Sequence, residues 1–205
     1  YGVTRICINA QSFSDRTLEA IGRKHTAKEV GEAFELARPF GFVTNCDLIA
    51  GLTGESLEEF CGSIDSAVAL SPDNITVHTL CLKKGARLKE EVESLKEGDM
   101  GEMIAYAREK LTAAGYEPYY LYRQKYMAGA HENTGWTKPG RASVYNIDVM
   151  EETADNFAVG ANAVTKKVFL KEGRIERIGS PKDLPTYLDK TEKLIEEKRK
   201  LFSRS

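Results

Sequence analysis

The first 82 residues alternate between short β-rich runs and helix-patterned segments, and that alternation restricts the fold more than any other feature of the chain. Gly2 to Asn9 carries alternating β-branched residues and reads as a strand, followed by a loop from Gln11 to Ser14. Ser14 and Asp15 can cap a short helix that Gly22 stops, and Thr26 with Glu29 has capping-box spacing ahead of Val30, Phe34 and Ala37 on one helix face. Phe42 to Ile49 is the second strand. After a glycine-punctuated loop, Gly51 to Gly54, a helix runs to about Leu70 with Glu55, Glu58 and Glu59 in its first turn, where negative charge suits the dipole. Ile75 to Leu82 is the third strand. Strand, helix, strand, helix, strand at this spacing means parallel strands joined by right-handed crossovers. Both faces of such strands are expected to be buried, so a polar side chain inside them needs a partner or a purpose.

Beyond this unit the pattern loosens. Lys83 to Asp99 is charged and surface-like, and Met100 to Ala114 is an amphipathic helix. From Gly115 the character changes. Tyr116 to Tyr126 is an aromatic strand and Met127 to Arg141 a loop. Ser143 to Val149, Phe157 to Val159, Ala163 to Leu170 and Arg174 to Ile178 are short strands, and a last helix runs from Ser180 or Asp183 to about Leu201. The expected division is an α/β domain over 1–114 and a smaller α+β domain over 115–205.

A net charge of −2 with acids and bases interspersed gives no footprint for nucleic acid. No apolar run approaches the roughly 20 residues of a membrane span, and no signal-type segment opens the chain, so the expected location is the cytoplasm. Cys7, Cys46, Cys61 and Cys81 are far apart, lack metal-ligand spacing and sit in apolar contexts that suit packed thiols.

Parallel α/β sheets bind ligands at the carboxyl ends of their strands, where loops converge and helix amino termini point. Gln11, Asp47 and His78 could meet there. Asp47 lies among Cys46, Leu48 and Ile49, so its carboxylate must be paired, with Arg23 or loop amides as the structural alternative, or bind something. Gln11 and Arg23 have bland readings as a loop amide and a surface charge. His25, His78 and His131 lack the spacing of helix-borne metal ligands, and His78 reads as a satisfied core histidine. The loop Gly51 to Gly54 lacks the lysine and spacing of a P-loop and reads as a tight connection. Around the aromatic strand, Tyr120 and Tyr122 share one face and Arg123 and Lys125 the other. With Lys138 and Arg141 they would suit a flat hydrophobic polycarboxylate, single-stranded nucleic acid, or nothing beyond an edge strand.

Four stretches together resemble the oxygen-independent coproporphyrinogen III oxidase family of radical SAM proteins: Asn9-Ala-Gln11-Ser-Phe13, Ala20-Ile-Gly-Arg23-Lys-His-Thr26, Asp47-Leu-Ile-Ala-Gly51-Leu-Thr-Gly54-Glu55, and Glu117-Pro-Tyr-Tyr-Leu-Tyr-Arg-Gln-Lys125. Tyr122-Arg-Gln-Lys125 and Met127-Ala-Gly129 are most similar to its HemZ-type branch, and Asn133-Thr-Gly135-Trp136 is similar to a family loop on the tetrapyrrole side. The chain departs from the pattern at Ala10 and Thr53, where proline is usual, at Asn162, where glycine is usual, and at Phe157-Ala158.

The resemblance implies the later portion of a radical SAM partial (TIM-like) parallel barrel followed by the family's C-terminal domain. It places S-adenosylmethionine against Gln11, Arg23 and Asp47, and a tetrapyrrole substrate whose propionates could pair with Arg123, Lys125 and Arg141. The implied activity is oxidative decarboxylation of coproporphyrinogen III to protoporphyrinogen IX in anaerobic haem biosynthesis, with an unspecified electron donor. The family's Cys-x-x-x-Cys-x-x-Cys motif has no counterpart here, so a 4Fe-4S cluster would take its ligands from a preceding segment, and this chain by itself would be inactive. A haem-binding carrier or chaperone of the same family is the alternative, and a cluster-free structural module is a third.

Overall fold

The computed structural model describes residues 2–80, 97–122 and 132–203. Two compact units divide it, Tyr1–Ala142 and Ser143–Ser205.

The first unit is built on a five-stranded sheet. Strands β1 (Arg5–Cys7), β2 (Val43–Ala50) and β3 (Asn74–Thr79) are parallel, β5 (Asn133–Thr137) pairs antiparallel with β3, and β4 (Glu117–Tyr122) pairs antiparallel with β5, giving the order β1-β2-β3-β5-β4. The connecting helices are α1 (Asp15–Ala20), α2 (Ala27–Ala37), α3 (Leu57–Leu70) and α4 (Glu97–Ala113). Their starts follow from the sequence. Ser14 caps α1 through the Thr17 amide, and Thr26/Glu29 and Ser56/Glu59 both close capping boxes, which satisfies amides that a helix start leaves unpaired.

Parity along the strands separates the two sheet faces. Cys46, Leu48, Ala50, Ile75, Val77 and Trp136 point into the core, where they pack against Val30 and Phe34 of α2, Phe60, Ile64 and Ala67 of α3, and Met103, Ala107 and Leu111 of α4. The alternate residues, Asn45, Asp47, Thr76, His78, Tyr120 and Tyr122, take the other face. The second face is mostly polar, yet Asn45, Thr76 and Tyr120 on it are buried, so the burial expected of both faces holds for much of the sheet, with Asp47 and His78 the partly exposed positions.

Strand β5 was expected to be loop. Its sequence, Asn-Thr-Gly-Trp-Thr, has a glycine at its centre, and the structure supplies the reason: a Cβ on Gly135 would lie 1.9 Å from Cε1 of Tyr120, so the tyrosine ring occupies the space above it. Because β5 hydrogen-bonds onto β3 and β4 onto β5, both belong to the first unit, whereas the expected division at 114/115 would detach them.

The second unit contains α5 (Val144–Met150), a hairpin of β6 (Val164–Phe169) and β7 (Arg174–Gly179), and α6 (Leu184–Asp189) and α7 (Thr191–Phe202). The β-branched Val144, Ile147 and Val149 suggest a strand, yet the segment is helical. Phe157 to Val159 forms no strand; an isolated bridge pairs Asn156 with Lys166 instead. The last helix breaks at Lys190 into α6, capped by Asp183, and α7. Asn162 adopts φ 61°, a left-handed conformation that asparagine tolerates, which accounts for its standing at a glycine-like position. No helix among the described residues is long and apolar enough to cross a membrane.

Candidate functional site

The polar sheet face is a connected set of hydrogen bonds. The Asn45 amide donates to Asp47 Oδ1 at 2.7 Å, and His78 Nε2 stands 3.8 Å from the same oxygen. The opposite ring nitrogen, Nδ1, lies 3.1 Å from the Tyr122 hydroxyl. Thr76 Oγ1 donates to Asn45 Oδ1 at 3.4 Å and lies 3.3 Å from the Tyr120 hydroxyl. Tyr120 and Tyr122 stack with centroids 6.3 Å apart and planes 13° from parallel, which realises the shared face expected of them.

Charge in this set is concentrated on Asp47. Burial alone would raise its pKa, but hydrogen bonding and electrostatic attraction from the His78 ring, with hydrogen bonds from Asn45 and Thr76, outweigh that cost and hold the carboxyl below its ordinary value. The side chains of Asp47 and His78 keep 20% and 28% exposure, so a small molecule can reach both. His78 is therefore a half-buried member of a polar face, where a core histidine was expected.

Gln11 is tied to β2 through the backbone. Its amide donates to the Asp47 carbonyl at 2.8 Å and its carbonyl accepts from Ile49 at 3.0 Å, forming a parallel bridge beside Leu48. Gln11 is buried and has φ 67°. Arg23 follows Gly22, whose φ of 73° ends α1, and its guanidinium is exposed with no side-chain partner among the described residues. His25 reaches back to the Ala10 carbonyl at 3.1 Å, which ties the Arg23 loop to the segment that runs from β1 to Gln11.

Gln11, Asp47 and His78 are thus brought to one region, and Asp47 is paired by Asn45 and His78, with no contact to Arg23. Arg141 lies elsewhere. Its guanidinium pairs with Asp73 at 3.5 Å and its carbonyl accepts from Arg5 and Asn74, at the amino end of the parallel strands. Arg123, Lys125 and His131 lie outside the described residues. Asn45 and Thr76 were missed. Only the strand parity that follows from placing Asp47 on an open face could have found them.

The three cysteines among the described residues do not fit a cluster's thiolate set. Cys46 is buried, with burial pushing its thiol up to about 12, while Cys7 is exposed on β1 and Cys61 half-buried on α3. Cys81 lies outside the described residues. Among the described residues no group of three or more His, Cys, Asp or Glu is placed to hold a metal ion.

A parallel sheet with helices on one face and a polar inner face is the architecture of a partial α/β barrel, and comparison with known proteins specifies which one. The radical SAM superfamily model matches residues 1–67. Over 94% of its length the chain follows the fold of coproporphyrinogen III oxidase HemN from Escherichia coli, a radical SAM enzyme, with a TM-score of 0.69 at 16% identity. Within that fold, the chain belongs to the oxygen-independent coproporphyrinogen III oxidase-like family. It is 38% identical, over 98% of its length, to the oxygen-independent coproporphyrinogen-III oxidase-like protein HemZ of Bacillus subtilis, and 31% identical, over 86%, to the heme chaperone HemW of Escherichia coli. It spans 41% of that HemZ, 43% of that HemW and 44% of the HemN chain.

Proposed function

We propose that this chain forms the cofactor-positioning portion of a radical SAM coproporphyrinogen III dehydrogenase. The observation that carries the proposal is Asp47, an ionised carboxylate on the polar sheet face whose backbone carbonyl holds the amide of Gln11. S-adenosylmethionine offers an ammonium, a carboxylate and a ribose diol. Asp47 is suited to accept from the diol or the ammonium, exposed Arg23 to pair with the carboxylate, and Gln11 to bridge polar groups between them. In the whole protein the cofactor and a 4Fe-4S cluster would supply the radical that removes hydrogen from a propionate side chain; the cluster's ligands would come from outside this chain. Arg123 and Lys125 remain the proposed propionate partners. Arg141, held against Asp73 at the other end of the strands, is not carried into the site.

The 31% identity to HemW favours a second reading, a haem carrier. Two assays on the full-length protein containing this chain separate them. Reconstituted without oxygen and given coproporphyrinogen III and S-adenosylmethionine, a dehydrogenase releases protoporphyrinogen IX and carbon dioxide. A carrier yields neither product and binds haem stoichiometrically in a spectrophotometric titration, an outcome that would reject the proposal.

A further inference from the structure

Behind Gln11 the chain buries a carboxylate that this chemistry does not use. Glu55 was expected among the acids of a helix first turn, yet it lies ahead of the Ser56 cap and is 3% exposed. Ser12, adjacent to Gln11 and 0% exposed, donates from Oγ to Glu55 Oε1 at 2.5 Å. Ser12 Oγ also accepts from the Ser14 amide at 3.1 Å and lies 3.2 Å from Ser63 Oγ, which accepts from the Phe13 amide at 2.8 Å.

The donor directions follow from the acceptor at the end of the set. Ser12 donates its one hydroxyl proton to Glu55 Oε1, so its lone pairs are left for the Ser14 amide and the Ser63 hydroxyl. Ser63 then has a lone pair for the Phe13 amide. Ser12, Phe13 and Ser14 are each tied to one hydroxyl chain that ends on Glu55. Gln11, immediately before them, holds a left-handed conformation that costs a non-glycine residue roughly 1–2 kcal/mol and persists only where its surroundings over-determine it.

We infer that Glu55 is a positioning residue: through Ser12 and Ser63 it holds the 11–14 loop in the arrangement that fixes Gln11 beside the Asp47 backbone. The inference rests on the reading of Gln11 as a contact for S-adenosylmethionine.

The test uses the full-length protein with two readouts, calorimetric affinity for S-adenosylmethionine and hydrogen exchange of the Phe13 and Ser14 amides. Glu55→Leu and Ser12→Ala each remove the terminal hydrogen bond, and the expected result is about tenfold weaker affinity with exchange about tenfold faster at both amides. Amides of Phe60 and Ile64 in α3 stay protected. Glu55→Gln keeps an oxygen for Ser12 to donate to and is expected to restore both readouts to within about twofold of wild type. Unchanged exchange in Glu55→Leu overturns the inference, as does a Glu55→Gln variant no better than Glu55→Leu. Should wild type bind no S-adenosylmethionine, the reading of Gln11 fails while the exchange readout still decides the role of Glu55.

Discussion

The two faces of the five-stranded sheet use their side chains for opposite ends. On the helix-covered face, Cys46, Leu48, Ile75, Val77 and Trp136 are all but removed from water and act through burial, a non-directional force that tolerates exchange of similar shapes. On the other face, Asn45, Asp47, Thr76, His78, Tyr120 and Tyr122 act through directed hydrogen bonds, each dependent on its neighbour's identity. The contrast teaches that the fold is secured from one side, which leaves the other free to hold a partly exposed, ionised carboxylate at modest cost to stability.

Substitutions on either side can break that division. The largest loss is expected from Phe60→Ala, which empties a fully buried site in the helix-covered core and should cost about 3–5 kcal/mol in urea unfolding. Next is Glu55, whose carboxyl is pushed up to about 7, first by burial and then by the Glu59 charge, against the Ser12 hydrogen bond and Arg16. A carboxyl with a raised folded pKa binds more protons folded than unfolded, so stability falls as pH rises from about 4.5 to about 7 and levels off above. Glu55→Gln should therefore gain roughly 3 kcal/mol over wild type at pH 8 and almost nothing at pH 4. Equal gains at both pH values would show that Glu55 does not titrate in this range.

Smaller effects probe the polar face. Gly135→Ala drives a methyl into the Tyr120 ring and should cost about 1–3 kcal/mol; in a Tyr120→Ala background most of that cost should vanish, which a double-mutant cycle reads directly. Smallest is Arg23→Ala, at under about 0.5 kcal/mol, since the guanidinium has no partner among the described residues. Its calorimetric affinity for S-adenosylmethionine should nonetheless fall about tenfold, the value of one charge-assisted hydrogen bond.

Much of this was legible beforehand because short-range signals state it. The caps at Ser14 and Thr26, the turn at Gly22 and the strand around Asp47 each depend on neighbours within a few residues. What escaped depends on distant partners. Strand β5 is a strand because β3 and the Tyr120 ring lie against it, and nothing within Asn133 to Thr137 announces either. Glu55 looks like a helix-start acid until Ser12, 43 residues earlier, is placed beside it. The polar partners of Asp47 were hidden for the same reason, since Asn45 and Thr76 meet only once β2 and β3 are paired in register.

The most direct measurement is isothermal titration of S-adenosylmethionine into the full-length protein and its Asp47→Asn variant, alongside their thermal midpoints. Asparagine preserves size and removes the charge, so the account predicts an affinity at least about tenfold weaker with a midpoint shifted by only a few degrees. Equal affinities in the two proteins would contradict it, because the polar face would then hold Asp47 for the sheet's own hydrogen bonds alone.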